Sequence, residues 1–136
     1  METSGFASLL WRIQRRLLEL AAPCLEALDL APKHAFLLGQ LSRRQRPGEI
    51  ARHLHLPAPS VSHLLAELEA RGWITRRPDP DDRRRLLAEL TPEGRSALAA
   101  VRRCLAAASE RLLDRLDTAE RDRLLALLAR LEGNDA

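Results

Sequence analysis

Residues 73–90, "WITRRPDPDDRRRLLAEL", constrain the fold more than any other stretch of this 136-residue chain. A β-prone run, WITRR, and a second, RLLAEL, in which Leu86, Ala88 and Leu90 alternate onto one face, flank a loop punctuated by prolines and aspartates. Strand-period alternation on both sides of turn-forming residues specifies two strands joined as a β-hairpin. Elsewhere the apolar residues recur at helical spacing.

Upstream of the hairpin, "PGEIARHLHL" and "PAPSVSHLLAELEARG" read as a compact helical pair. Pro47 suits a first helical position, Ile50 and Leu54 sit four apart, and Pro57 with Pro59 marks the turn and restart. If the second helix begins at Pro59, Ala58 is a poor N-cap. Val61, Leu64, Leu65 and Leu68 then face inward, which leaves Ser60, Ser62, His63, Ala66 and Glu67 outside, with Gly72 as the C-terminal cap.

Phe6, Leu9, Leu10, Ile13, Leu17 and Leu20 predict an amphipathic helix ending before Pro23, with Arg12, Arg15, Arg16 and Glu19 on its other face. A second short helix is expected from about Pro32 to Ser42, with Ala35, Phe36, Leu38 and Leu41 as its apolar contacts. Beyond the hairpin, Thr91 and Pro92 restart a helix as N-cap and first residue. Its Leu98, Val101, Leu105, Ala108 and Leu112 alternate by three and four, like a coiled-coil seam. Asp117 with Glu120 gives a capping-box start for the last helix. The fold class is mostly α with a small β-hairpin.

Two helices joined by a tight turn and followed by a hairpin make a winged helix-turn-helix, whose second helix fits a major groove. Ser60 and Ser62 of that helix can bond phosphate or base edges, and His63 can donate or accept from a ring nitrogen. The formal charge of +3 is too small to establish a nucleic-acid partner, so the placement of the arginines carries the reading.

At this point the residues resemble a known family. "RGWITRRPDPDDRRRLLAELTPEGR" is similar to the wing of the MarR transcriptional regulators, matching it at Gly72, Ile74, Arg76, Asp79, Asp82, Arg83, Arg84, Leu90, Thr91 and Gly94. The resemblance implies a double-stranded DNA-binding regulator, a repressor acting as a homodimer on a near-palindromic operator. It also implies a possible small-molecule effector, held between dimerisation and DNA modules. Where such regulators place a basic residue near the start of the recognition helix, this chain has His63.

One domain, 1–136, is expected, with about 1–22 and 92–134 as dimerisation helices and about 32–91 as the DNA-binding module. Phe6, Leu9, Leu10, Ile13, Leu112, Leu116, Leu124 and Leu128 are the expected dimer contacts, since a small module cannot cover both terminal helices on every apolar side.

The resemblance and the physics suggest one purpose for the crowded wing. An arginine at a hairpin tip can enter a narrow minor groove, where negative potential is strongest, but an unrestrained side chain loses entropy on binding. Asp79 and Asp82 are therefore assigned to bracing the wing, Arg83 or Arg84 to reaching DNA, and Arg76 and Arg77 to phosphate. Arg43, Arg44, Arg46 and Arg52 suit ordinary surface as well as phosphate contact.

Cys24 and Cys104 lie far apart and in no metal-ligand spacing, so no disulfide is indicated and inert, buried thiols are expected. A thiol-responsive regulator using the pair is the alternative, as is a winged-helix module that docks protein and not DNA. His53 and His55 do not share a helix face and have no accompanying ligands, so no metal and no cofactor is expected. His34 suits capping or packing better than a ligand cavity. There is no nucleophile with a base, no glycine-rich phosphate loop and no catalytic carboxylate pair, so the chain is not read as an enzyme. Arginines interrupt the first apolar run, which excludes a signal or membrane segment and makes a cytoplasmic protein the expectation.

Overall fold

The structure, a computed structural model, describes residues 3–43 and 45–133, so Arg44 lies outside the described residues. Along the chain run α1 (Thr3–Ala27), α2 (Pro32–Leu41), α3 (Pro47–Leu54), α4 (Ala58–Ala70), β1 (Ile74–Pro78), β2 (Leu86–Leu90), α5 (Pro92–Leu112) and α6 (Thr118–Glu132). The molecule is mostly α with one antiparallel hairpin, as the sequence predicts. Two compact units divide it: residues 22–104, and the residues up to 21 together with those from 105 onward.

In the 22–104 unit α4 packs against α2, α3 and β1. Its Val61, Leu64, Leu65 and Leu68 are the buried stripe that the helical spacing predicts. Leu37 and Leu38 of α2, Ile50 of α3 and Ile74 of β1 complete this core. Each buried leucine or isoleucine contributes about 1.5–3 kcal/mol. A two-stranded hairpin is marginal alone. Here β1 lies on α4, β2 contacts α2 and α3, and the Ala88 N–H donates to the Gln45 carbonyl at 2.8 Å. The register sets Ile74 opposite Leu90 and Pro78 opposite Leu86.

Several local expectations are corrected. α1 does not stop at Pro23 but continues through it to Ala27. A proline inside a helix removes one donor, and the burial of Ala21 and Leu25 on either side of it holds the last turns helical. In α2, Leu37 is fully buried and Phe36 is 41% exposed. The buried stripe centres on His34, Leu37, Leu38 and Leu41, and Phe36 falls on the far side of that turn. α4 begins at Ala58, with Pro57 as N-cap; the Pro57 carbonyl accepts from Ser60 and Val61 and no side chain caps the helix. In β2 the alternation breaks, because Leu86 is exposed while Leu87 and Ala88 are both buried. Leu87 borders a cleft with Arg46 and Asp79, so this strand is covered on both faces.

The expectation of free, inert cysteines is overturned as well. Cys24, near the end of α1, and Cys104, in α5, form a disulfide with Cα atoms 5.6 Å apart, and neither thiol is free. Eighty residues separate them in sequence, and folding alone brings them together.

The junction between the hairpin and α5 explains three residues of the wing pattern. Gly72 has φ +76°, the left-handed conformation that closes α4. The Thr91 hydroxyl donates to the Gly72 carbonyl at 2.7 Å and accepts the Gly94 N–H at 3.0 Å, the N-cap role expected of it. A Cβ on Gly94 would stand 1.9 Å from the Trp73 carbonyl oxygen, which itself accepts the Thr91 N–H.

In the other unit, Asp117 and Glu120 form the expected reciprocal capping box at the start of α6. Arg121 caps the end of the preceding segment by donating from Nε to the carbonyls of Leu113 and Leu116, and its Nη1 donates to Glu110 at 2.8 Å. Phe6, Leu10 and Ile13 of α1 are 48–49% exposed, and α6 has no buried residue.

Because backbone cannot move aside as a flexible side chain can, Gly94→Ala should lower stability by about 3 kcal/mol. A surface Ala99→Ser control should stay within about 0.5 kcal/mol. Urea unfolding measures both, and an unchanged midpoint for Gly94→Ala would refute the close-contact explanation.

Candidate nucleic-acid interface

The loop between the strands is built around one carboxylate. Asp79 is 1% exposed, and its Oδ1 accepts the Asp81 N–H at 2.9 Å. Arg46 Nε donates to Asp79 Oδ2 at 3.0 Å while Arg46 Nη2 donates to Asp81 at 2.9 Å. A buried carboxylate must be paired and hydrogen-bonded, and Arg46 with the Asp81 amide meets that need. The Asp81 N–H first, and then Arg46, hold the Asp79 carboxyl below its ordinary range against the opposing effect of desolvation. The same contact with Asp79 raises the Arg46 guanidinium above its ordinary value.

Asp82 shapes the rest of the tip. Its Oδ1 accepts from the Arg84 backbone N–H at 3.1 Å and from Arg84 Nε at 3.2 Å, and Arg85 Nε lies 3.5 Å from Oδ2. These contacts, Arg84's first, lower the Asp82 pKa. Two successive aspartate-to-backbone bonds thus turn the chain between the strands. Arg83 projects from this frame, exposed and with no ion pair among the described residues, while Arg84 is exposed but held by Asp82.

Arg76 and Arg77 take different places. Arg76 lies against α4: its Nη2 donates to the Ser62 carbonyl at 3.5 Å, and its buried Nε is 3.7 Å from Glu69 and makes no hydrogen bond. It ties the hairpin to the helix. Arg77 Nε donates to Glu89 across the hairpin at 2.7 Å, and Gln45 donates to the same carboxylate oxygen.

On α4, Ser60, Ser62 and His63 are all exposed, on the side away from the buried stripe. Glu67, one turn beyond His63, has its Oε1 3.1 Å from His63 Nε2. Its Oε2 bonds to Nε2 of His34, a residue 7% exposed in α2. His34 also accepts the Ala31 N–H on Nδ1, which is the capping role the sequence suggests. The bond from His34 is the main cause lowering the Glu67 pKa.

A groove of about 570 Å³ opens at the start of α3 and is lined in part by Arg46, Arg52 and Arg85. Of the expected dimer contacts, Phe6, Leu9, Leu10, Ile13 and Leu128 are exposed, and Leu112, Leu116 and Leu124 are half-buried. The roles of Arg46 and of the Glu67–His34 pair escaped sequence reasoning, because each joins residues 33 positions apart. The one available signal was the surplus of aspartates in a loop that must turn tightly.

Two helices of a helix-turn-helix, a braced hairpin after them and flanking helices at both ends define a winged helix-turn-helix protein. Residues 28–85 match the MarR family. A probable transcriptional regulator from Pseudomonas aeruginosa is similar in structure with a TM-score of 0.76 and 30% identity, over 96% of this chain and 97% of that one. The chain belongs to the MarR family of transcriptional regulators, which are not enzymes. A putative transcriptional regulatory protein for the hcr operon of Thauera aromatica is 36% identical over 77 residues, 57% of this chain and 46% of that protein. The chain spans about half the length of the curated relatives it matches. A MarR mutant from E. coli, complexed with operator DNA, shares the fold with a TM-score of 0.78 at 22% identity over 93% of each chain.

The Asp79 pKa is depressed on folding, so its stabilising effect is present above the unfolded carboxyl range and is lost as pH falls through the folded value. Wild-type stability should hold near neutrality and decline below about pH 4. Asp79→Asn should be less stable at pH 7 and lose less between pH 7 and pH 3, as read by urea midpoints. Parallel curves for the two proteins would show that Asp79 does not brace the loop.

Proposed function

We propose that this chain is a sequence-specific, double-stranded DNA-binding transcriptional regulator of the cytoplasm, a repressor that acts as a homodimer. The observation that carries the reading is the wing: Asp79 and Asp82 are engaged in shaping it, which leaves Arg83 projecting for DNA. Residues 32–91 are the reading module. Ser60, Ser62 and His63 of α4 contact base edges or phosphate in the major groove, Arg83 or Arg84 reaches the minor groove, and Arg77 lies near phosphate. Arg76 supports them by fixing the hairpin on α4 and reaches phosphate only through its outer edge.

Residues 1–22 and 92–134 are the dimerisation helices, pairing through Phe6, Leu9, Leu10, Ile13, Leu112, Leu116, Leu124 and Leu128. Their exposed apolar side chains support this, since such a surface is uncommon on a monomer. A two-fold dimer presents two copies of α4 to a near-palindromic operator. A small-molecule effector would release DNA by binding more tightly to the dimer whose two α4 helices are wrongly spaced. The E. coli MarR mutant that shares this fold was crystallised with operator DNA, which supports the same partner here.

The test is duplex binding across a salt series, with size measured by light scattering. Arg83→Ala with Arg84→Ala should weaken binding and reduce the salt slope by about 1–2, with the dimer intact. Unchanged affinity and slope would exclude the wing from the interface, and a wild-type chain that binds no duplex would favour the protein-docking alternative.

The disulfide favours a second reading, in which the regulator responds to thiol oxidation. In a reducing cytoplasm such a bond is transient and signalling more often than structural. Two thiols would give up two protons and two electrons to an organic hydroperoxide, which leaves as alcohol and water. By loop closure across 80 residues the bond stabilises by about 4.5 kcal/mol. Operator affinity should differ between oxidised and dithiothreitol-reduced protein, and Cys24→Ser should abolish that difference. Equal affinities would make the bond structural only.

A further inference from the structure

The groove at the start of α3 holds more positive charge than its own contacts balance. Of the three guanidinium groups along it, Arg46 is engaged by Asp79 and Asp81, and Glu49, the carboxylate of the groove, lies 3.8 Å from that same cation. Arg52, in the last turn of α3, is exposed and has no ion pair among the described residues. Arg85, just before β2, has a side chain 69% exposed; the carboxylate paired with it, Asp82, stands 3.5 Å away and bonds Arg84 through its other oxygen. Because α3 and β2 pack together, Arg52 and Arg85 open onto one space. Pro47 and Leu86 give that space an apolar wall, and Leu86 is the outward residue that breaks the alternation of β2. Two incompletely balanced cations beside exposed apolar surface suit an anion carried on an apolar frame, and a deoxyribose phosphate is such a group.

We propose that Arg52 and Arg85 together grip one phosphate of the DNA backbone, with Leu86 and Pro47 against its sugar. A duplex presents a sugar–phosphate strand between its major groove and the neighbouring minor groove, so a protein with a helix in one and a hairpin in the other must meet that strand. α3 leads into α4 and β2 leads out of the wing, which sets the groove beside both. The grip fixes the position of the protein on the duplex and carries no base preference of its own. The inference rests on the proposed placement of α4 and the wing on DNA.

The probe is a duplex selected from random sequence by the wild-type protein, remade with one phosphate at a time replaced by an uncharged methylphosphonate. In wild type, replacement at the gripped phosphate should weaken binding by about ten-fold. Arg52→Gln and Arg85→Gln should each lose most of the sensitivity at that same phosphate and keep it at the others, with the salt slope lowered by about 1 for each protomer bound. Since both side chains serve one phosphate, the double variant should lose less affinity than the two single losses added together. Leu86→Glu, which places a carboxylate on the groove and leaves both arginines in place, should abolish the same sensitivity, and serves if an arginine variant fails to fold. Variants that keep the wild-type pattern, or that lose sensitivity at two different phosphates, would overturn this inference while leaving DNA binding intact. A wild-type protein that binds no duplex would overturn the proposed function with it.

Discussion

The pairing of Arg46 with buried Asp79 is the contact on which the hairpin depends. A carboxylate this deeply covered cannot stay ionised without strong donors, and it has two: a guanidinium from the segment before α3 and the amide of Asp81. One interaction thus does two jobs. It fixes the turn of the loop from inside, through the Asp81 amide, and it moors the loop to the helical body, through Arg46. Arg46 also reaches Asp81 and Glu49, so the hairpin, its tip and the start of α3 share one cation.

The wing is consequently asymmetric in how its arginines are used. Arg46 is structural, Arg76 is folded onto α4, Arg77 is matched by Glu89 across the strands, and Arg84 is held by Asp82. Arg83 stands apart from these pairings. An acid-rich loop in a basic hairpin therefore does not cancel its charge uniformly; it sorts the arginines into those that hold the shape and the one left projecting. On α4, Glu67 bonds buried His34 through one oxygen, while its other oxygen lies 3.1 Å from exposed His63.

Much of this was readable in the chain. The hairpin, the helical pair, the buried stripe of α4, the glycine cap at Gly72 and the capping box at Asp117 all arise from neighbours within one or two turns, where side-chain spacing and turn chemistry act directly. The misplaced details share one physical character. Pro23 stays within α1, Phe36 and Leu37 exchange burial, and Leu87 is covered where alternation predicts exposure, because packing from other elements outweighs local preference.

Local spacing, caps and turn residues were enough to fix the element order, the winged architecture and the residues displayed on α4, since these depend on energies set within a few positions of one another. Partnerships across long stretches of chain were not available from it: Arg46 with Asp79, His34 with Glu67, and Cys24 with Cys104. The sequence shows that an acid, a histidine or a thiol is present, but its partner is chosen by which surfaces the packed core brings within bonding distance, and that choice belongs to the folded molecule.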